Sequence, residues 1–250
     1  MDEPRPAAAP PAAAGGRFGA SIRTSGYLRK WFLLGITIGV VAGLGGYLDA
    51  RAFHACVALT HRLPGGQVLK PAIGGLLVGL LGLLIPQVLS SGYGWAQLAA
   101  DRESLLHIPL WIVLVLPIAK IVATSLSIGT GGSGGLFGPG IVIGAFLGAA
   151  VWRLGELCGL PGVPGEPGIF VVVGMMACFG SVSRAPLAIM IMVAEMTGSF
   201  SVIPGAIIAV GIASLLMSRT NVTIYEAQRL DRTTAFEERK AERERQQAAE

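Results

Sequence analysis

Charge is scarce in this sequence. Of its 250 residues only 14% are Asp, Glu, Lys or Arg, against 52% apolar, and the mean hydropathy is +0.65. A soluble globule of this length needs more polar surface than that, so a water-soluble fold is excluded and a bilayer is the natural solvent. Charge is missing altogether from Trp31 to Leu48, Pro71 to Ala100, Ile121 to Trp152, Pro167 to Ser183 and Met196 to Ser218. Most of these windows approach the roughly 20 residues that cross a bilayer as a helix.

Other shortages exclude further classes. Cysteine occurs three times, as Cys56, Cys158 and Cys178, an odd number with no CxxC pair, so the thiols read as small packing residues. His54 and His61 share a helical face but lack a third ligand, and no metal site is expected. The formal charge of +4 sits in flanks and loops and forms no basic, aromatic stripe, which argues against a nucleic-acid partner. The opening MDEPRPAAAPPAAAGG has no apolar h-region, so it reads as a disordered arm and not a cleavable leader. Gly129, Gly131 and Gly134 fit GxGxxG, yet no acidic residue follows about 20 positions on and no GKS or GKT ends the run. Neither a nucleotide cofactor nor an enzyme is indicated.

What is present is a series of apolar helices with abundant glycine. The first is predicted over about Trp31 to Leu59, with Gly35, Gly39 and Gly43 at four-residue spacing, a register that lets another backbone approach. A second is predicted over Leu69 to Leu89, with Gly75 and Gly79 in the same register and Pro86 near its end, followed by a polar turn from Ser90 to Gly94. A third covers about Ile108 to Ile128 and a fourth about Phe137 to Leu154. Two short pieces, Ile169 to Gly180 and Ala185 to Thr197, are broken at Ser181 to Pro186. Each is too short to span comfortably. The last apolar segment covers Val202 to Met217, and a charged stretch, FEERKAERERQQ, favours a solvated helix. The fold class expected is therefore all-α, a polytopic membrane protein with tilted and broken, re-entrant helices.

Between the third and fourth helices runs Gly129-Thr-Gly-Gly-Ser-Gly-Gly-Leu-Phe-Gly-Pro139. Six glycines cannot stay helical. In hydrocarbon an irregular backbone survives only where it lines a cavity or binds something. The helix that follows offers free N–H groups and the positive end of its dipole, and Pro139 suits a first turn. An anion is the ligand such an end favours, and with no Lys or Arg in the loop it would be held weakly enough to leave again. On spacing alone, tight packing or a sharp turn accounts for the glycines equally well.

The stretch GTGGSGGLFGPGIVIGAFLG resembles the GSGGSGGxFxP signature in the second half of CLC chloride channels and chloride/proton exchangers. The stretches LKPAIGGLLVGLLGLLIPQVLSSGYGW, LPIAKIVATSLSIG, GMMACFGSVSRAPLAIMIMVAEMTG and TIYEAQ follow the same pattern, so the likeness covers about Leu69 to Leu230. The resemblance implies chloride transport, with backbone N–H groups of Leu136 and Phe137 and the hydroxyl of Tyr225 holding a central chloride. Gly131, Ser133, Gly134, Gly135 and Pro139 would shape the helix entrance. Tyr225 also fits an interfacial belt tyrosine. The matching AEMTG stretch gives Glu195 a structural role, and Arg184 and Lys120 are read as structural or interfacial cations whose heads snorkel or pair.

The sequence lacks the GSGIP-type and GREGP-type stretches of the family's first repeat, the second of which bears the gating glutamate. Arg17, Arg23, Arg29 and Lys30 precede the first helix and put the N-terminus in the cytoplasm by the positive-inside rule. The expectation is a shortened relative in which a first-repeat helix joins second-repeat helices near His61 to Lys70. Residues 1–29 would form a cytosolic arm, 30–228 the helical domain and 229–250 a charged cytosolic tail, all at the cell membrane. A homodimer or a complementary chain would complete the pathway. A non-conducting scaffold or regulatory subunit, or a truncated piece of a transporter, is the alternative.

Overall fold

A computed structural model describes residues 25–62, 68–160, 163–218 and 240, with side chains from Phe32 onward. Its helices are α1 (Ser25–Arg62), α2 (Leu69–Leu84), α3 (Tyr93–Ala100), α4 (Arg102–His107), α5 (Leu110–Gly129), α6 (Phe137–Leu157), α7 (Gly168–Val182), α8 (Pro186–Thr197) and α9 (Ile203–Ser218). Short 3-10 turns at Pro86–Val88 and Phe200–Val202 join them, and no strand occurs among the described residues.

Four helical segments are long and apolar enough to cross a bilayer: Phe32–Arg62, Leu110–Gly129, Phe137–Leu157 and Phe200–Ser218. The helices α2, α7 and α8 are shorter, as a fold with broken helices requires. Leu76, Leu80, Leu83 and Leu84 of α2, Trp111 and Ile118 of α5, and Leu187 and Ile191 of α8 face outward, Leu83 at 80% exposure. Water would not tolerate so large an apolar surface, whereas lipid does.

The core is α7, whose residues from Phe170 to Val182 are all buried. It crosses α6 at backbone contact: a Cβ on Gly148 would collide with the Phe170 carbonyl, and one on Gly174 with the Gly144 carbonyl. Trp152 is fully buried and donates its indole N–H to the Pro164 carbonyl at 2.9 Å. Small residues in place of large ones let two backbones share dispersion contacts that side chains would hold apart.

The glycine register of α1 behaves as predicted. Cβ atoms at Gly39 and Gly43 would come within 2.6 Å of the Ala209 carbonyl oxygen and 3.0 Å of Ala213 Cα on α9. The register of α2 does not: positions Gly75 and Gly79 meet nothing within 4 Å, while Gly74 packs on Thr130 and the Leu126 carbonyl, and Gly82 on Leu89. A register tells which residues share a face, but not which face has a neighbour.

Boundaries differ in ways with local causes. The second helix stops at Leu84 because Pro86, lacking an N–H, starts a 3-10 turn instead. The polar turn after it ends earlier than expected, since Tyr93 already begins α3. The Asp101 carboxylate then caps α4 by accepting from the Ser104 N–H at 2.9 Å, and this bond holds the carboxyl below its ordinary range. The break near Ser181 is narrower than predicted: α7 runs through to Val182, and Arg184 at φ 52° turns the chain into α8. Helix α8 ends at Gly198, whose left-handed φ of 64° lets the Ser199 N–H reach back to the Ala194 carbonyl.

Candidate functional site

The glycine run leaves α5 at Gly129, where a Cβ would press on Cys56 of α1, and turns at Gly131, whose φ of 95° only glycine adopts readily. Ser133, Gly134 and Gly135 are exposed, and Gly135 has no atom within 4 Å of its Cβ position. The chain then enters α6 with Leu136 as N-cap.

Leu136 and Phe137, adjacent in the chain, stand at the start of α6. The Leu136 side chain is buried in a small cluster with Ala50, Phe53, Val57, Ile128, Val182 and Met217. The Phe137 ring meets Phe179 edge-on, with centroids 5.2 Å apart. These contacts from four helices fix the start of α6. The first helical bond runs from the Gly140 N–H to the Leu136 carbonyl at 3.1 Å, and Pro139 has no N–H, so the amides of Phe137 and Gly138 have no acceptor within the helix. No side chain caps this end and no acidic residue lies in its first turn. The positive pole of α6 is therefore unneutralised from within the helix, which favours an anion. Ser133 and Gly134 border the entrance; Tyr225 lies outside the described residues.

The predicted site left out the turn that abuts this entrance and the cation that holds it. Cβ on Gly138 would come within 3.4 Å of both Ser91 Cβ and the Tyr93 hydroxyl, so the Ser90–Tyr93 turn abuts the first turn of α6. Tyr93 also borders a cavity of about 730 Å³ between α3, α7 and α8, lined from α6 by Ile141 and not by Leu136 or Phe137. Lys120 is only 2% exposed and does not snorkel. Its ammonium donates to the carbonyls of Val88 at 2.7 Å and Ser90 at 2.6 Å. The available signal was a lone cation inside a span, and its partners lie some thirty residues earlier in the chain.

Asp49 escaped the sequence reading because it ends a charge-free window. It is 3% exposed on α1, and its Oδ1 has no hydrogen-bond partner among the described residues. Asp49→Asn is expected to change stability by less than about 1 kcal/mol, because both side chains have nearly the same shape and both bury polar atoms without a full set of partners. A large shift of the melting temperature in detergent, in either direction, would contradict this. Glu195 is exposed near the end of α8. Among the described residues no group of His, Cys, Asp or Glu is arranged for a metal ion.

The helices, their breaks and their apolar exterior define a polytopic, all-α membrane protein. The family model described as voltage gated chloride channel matches residues 15–218, and the chain belongs to that family. The voltage-gated ClC-type chloride channel ClcB of Salmonella typhi is 35% identical over 195 residues, covering 78% of this chain and 45% of the relative. A putative chloride channel protein, ClcB-like, of Ralstonia nicotianae is 36% identical over 169 residues, covering 66% and 38%. The chain thus spans less than half the length of these curated relatives. Among solved structures, a slow cyanobacterial Cl−/H+ antiporter superposes with a TM-score of 0.69 at 24% identity, over 83% of this chain and 48% of that one. A CLC-type fluoride/proton antiporter gives 0.60 at 22%, over 82% and 47%. These two likenesses establish the fold.

Proposed function

We propose that this chain forms one side of an anion pathway across the cell membrane, holding chloride in transit at the α6 entrance. The backbone N–H groups of Leu136 and Phe137 and the hydroxyl of Tyr225 are the ligands, and Gly131, Ser133, Gly134, Gly135 and Pro139 shape the approach. The observation that carries this reading is the unneutralised α6 N-terminus, fixed by Leu136 and Phe137, at the end of a six-glycine loop in a member of this family. Dipoles in place of a full cation bind an anion loosely enough to release it. The matched relatives are described as chloride channels and as chloride/proton or fluoride/proton antiporters, which supports an anion as the transported species.

A second reading is a non-conducting scaffold or regulatory subunit. It is favoured by the missing GSGIP and GREGP stretches. In the first reading a second copy or a complementary chain supplies the rest of the pathway, and the tail beyond residue 228 lies in the cytosol.

Anomalous scattering from bromide-soaked crystals tests the choice. A bromide peak beside Leu136, Phe137 and Tyr225 is expected, together with radiochloride uptake into liposomes, reduced about tenfold or more by Tyr225→Ala as one of few ligands is lost. An empty entrance with background uptake would favour the scaffold.

A further inference from the structure

Lys120 is the cation that the glycine loop itself lacks, and it holds the turn that abuts the first turn of α6. We propose that Lys120 is a positioning residue for the anion site, its ammonium clamping the Ser90–Tyr93 turn against the first turn of α6. The inference rests on the anion-pathway reading above.

The geometry forms a short chain of contacts. Lys120 rises from the middle of α5, nearly fully buried, and donates to the carbonyls of Val88 and Ser90. Those carbonyls end the 3-10 turn that precedes α3, where no helix continues to satisfy them. Ser90 and Gly92 there adopt left-handed φ values of 63° and 84°, a conformation that costs a non-glycine residue and needs surrounding contacts to hold it. A Cβ on Gly92 would lie 3.5 Å from the Lys120 ammonium on one side and 3.2 Å from the Val142 methyls on the other. One step on, Ser91 and Tyr93 meet Gly138. The turn is held between a charged side chain of α5 and the opening turns of α6.

Two consequences follow from elementary chemistry. The ammonium replaces the water that the two carbonyls lost on burial, so the turn keeps one shape. That shape sets how closely Tyr93 and Ser91 approach the α6 entrance, and therefore the size of the space in front of the free N–H groups. A serine at φ 63° would drift without its donor, whereas glycine would hold that φ unaided.

The test uses the full chain in detergent, with chloride and iodide dissociation constants measured by titration calorimetry. Lys120→Met keeps the length and removes the donors, and it should weaken chloride binding about tenfold, the loss of roughly one net hydrogen bond's worth of positioning. It should also lower the preference for chloride over iodide, because the entrance is no longer held to size. Lys120→Arg keeps donors and should stay close to the wild type. Ser90→Gly added to Lys120→Met should restore part of the preference. A purely structural lysine would reduce the yield of folded protein and leave the chloride-to-iodide ratio of the folded fraction unmoved. That unmoved ratio overturns the inference. If Lys120→Met does not fold, Lys120→Gln, which is uncharged and too short by one atom to place its amide on both carbonyls, is read by the same ratio and with the same consequence. A wild-type chain that binds no chloride overturns the anion-pathway reading as well, whereas wild-type binding with an unmoved ratio overturns this inference alone.

Discussion

Gly135→Asp should abolish anion binding at the α6 entrance while leaving the fold intact. The Cβ position of Gly135 is open to 4 Å and its φ is not among the left-handed ones, so a side chain is accepted without strain. A carboxylate there stands about 5 Å from an anion on the Leu136 and Phe137 amides, and at an effective dielectric of about 20 the repulsion is about 3 kcal/mol. That is more than a hundredfold in affinity. Gly135→Asn has nearly the same shape without the charge and should bind within about threefold of the wild type. Chloride titration of both variants decides: equal binding by the two would remove the glycine loop from the pathway.

The second large effect concerns folding. Gly174→Val should leave little monodisperse protein after size-exclusion chromatography in detergent. A Cβ at Gly174 meets the Gly144 carbonyl and lies 3.1 Å from both Gly148 Cα and the Gly148 nitrogen, all backbone atoms of α6. No rotamer change relieves such a clash, so the two central helices must separate, at a cost of about 4 kcal/mol or more. Gly79→Val is the control. With nothing within 4 Å of its Cβ position, it should be tolerated by the chain alone. A normal elution profile for Gly174→Val would mean that the α6–α7 crossing is looser than described.

The two glycines carry the same letter, and the sequence could not tell them apart. Gly35, Gly39 and Gly43 were legible as a packing register because a long α1 offers one continuous face, and α9 lies on it. Gly75 and Gly79 have the same spacing on α2, yet the neighbour took the face of Gly74 and Gly82. The short helices α3 and α4 were missed because both fall in a stretch with little apolar period, where the Asp101 cap decides the boundary. At the site, the loop, the α6 start and the Pro139 position were legible, since glycine content and proline act locally. Lys120 was legible only as a structural or interfacial cation whose head snorkels or pairs, and the structure shows it buried and partnered. Its carbonyl partners at Val88 and Ser90 come from a separate segment whose approach no spacing encodes.

The sequence by itself determined that the protein lives in a membrane, that it is helical, and that its helices are interrupted at the glycine run and ahead of Pro186. Apolar length, charge-free windows and glycine or proline content act over a few residues and need no partner. Only the tertiary structure decided which helix faces touch, that Asp49 is buried, and that the Lys120 ammonium turns inward onto the Ser90 turn beside the α6 entrance. Each of these depends on groups distant along the chain, where burial and hydrogen bonding are settled by which segments pack together.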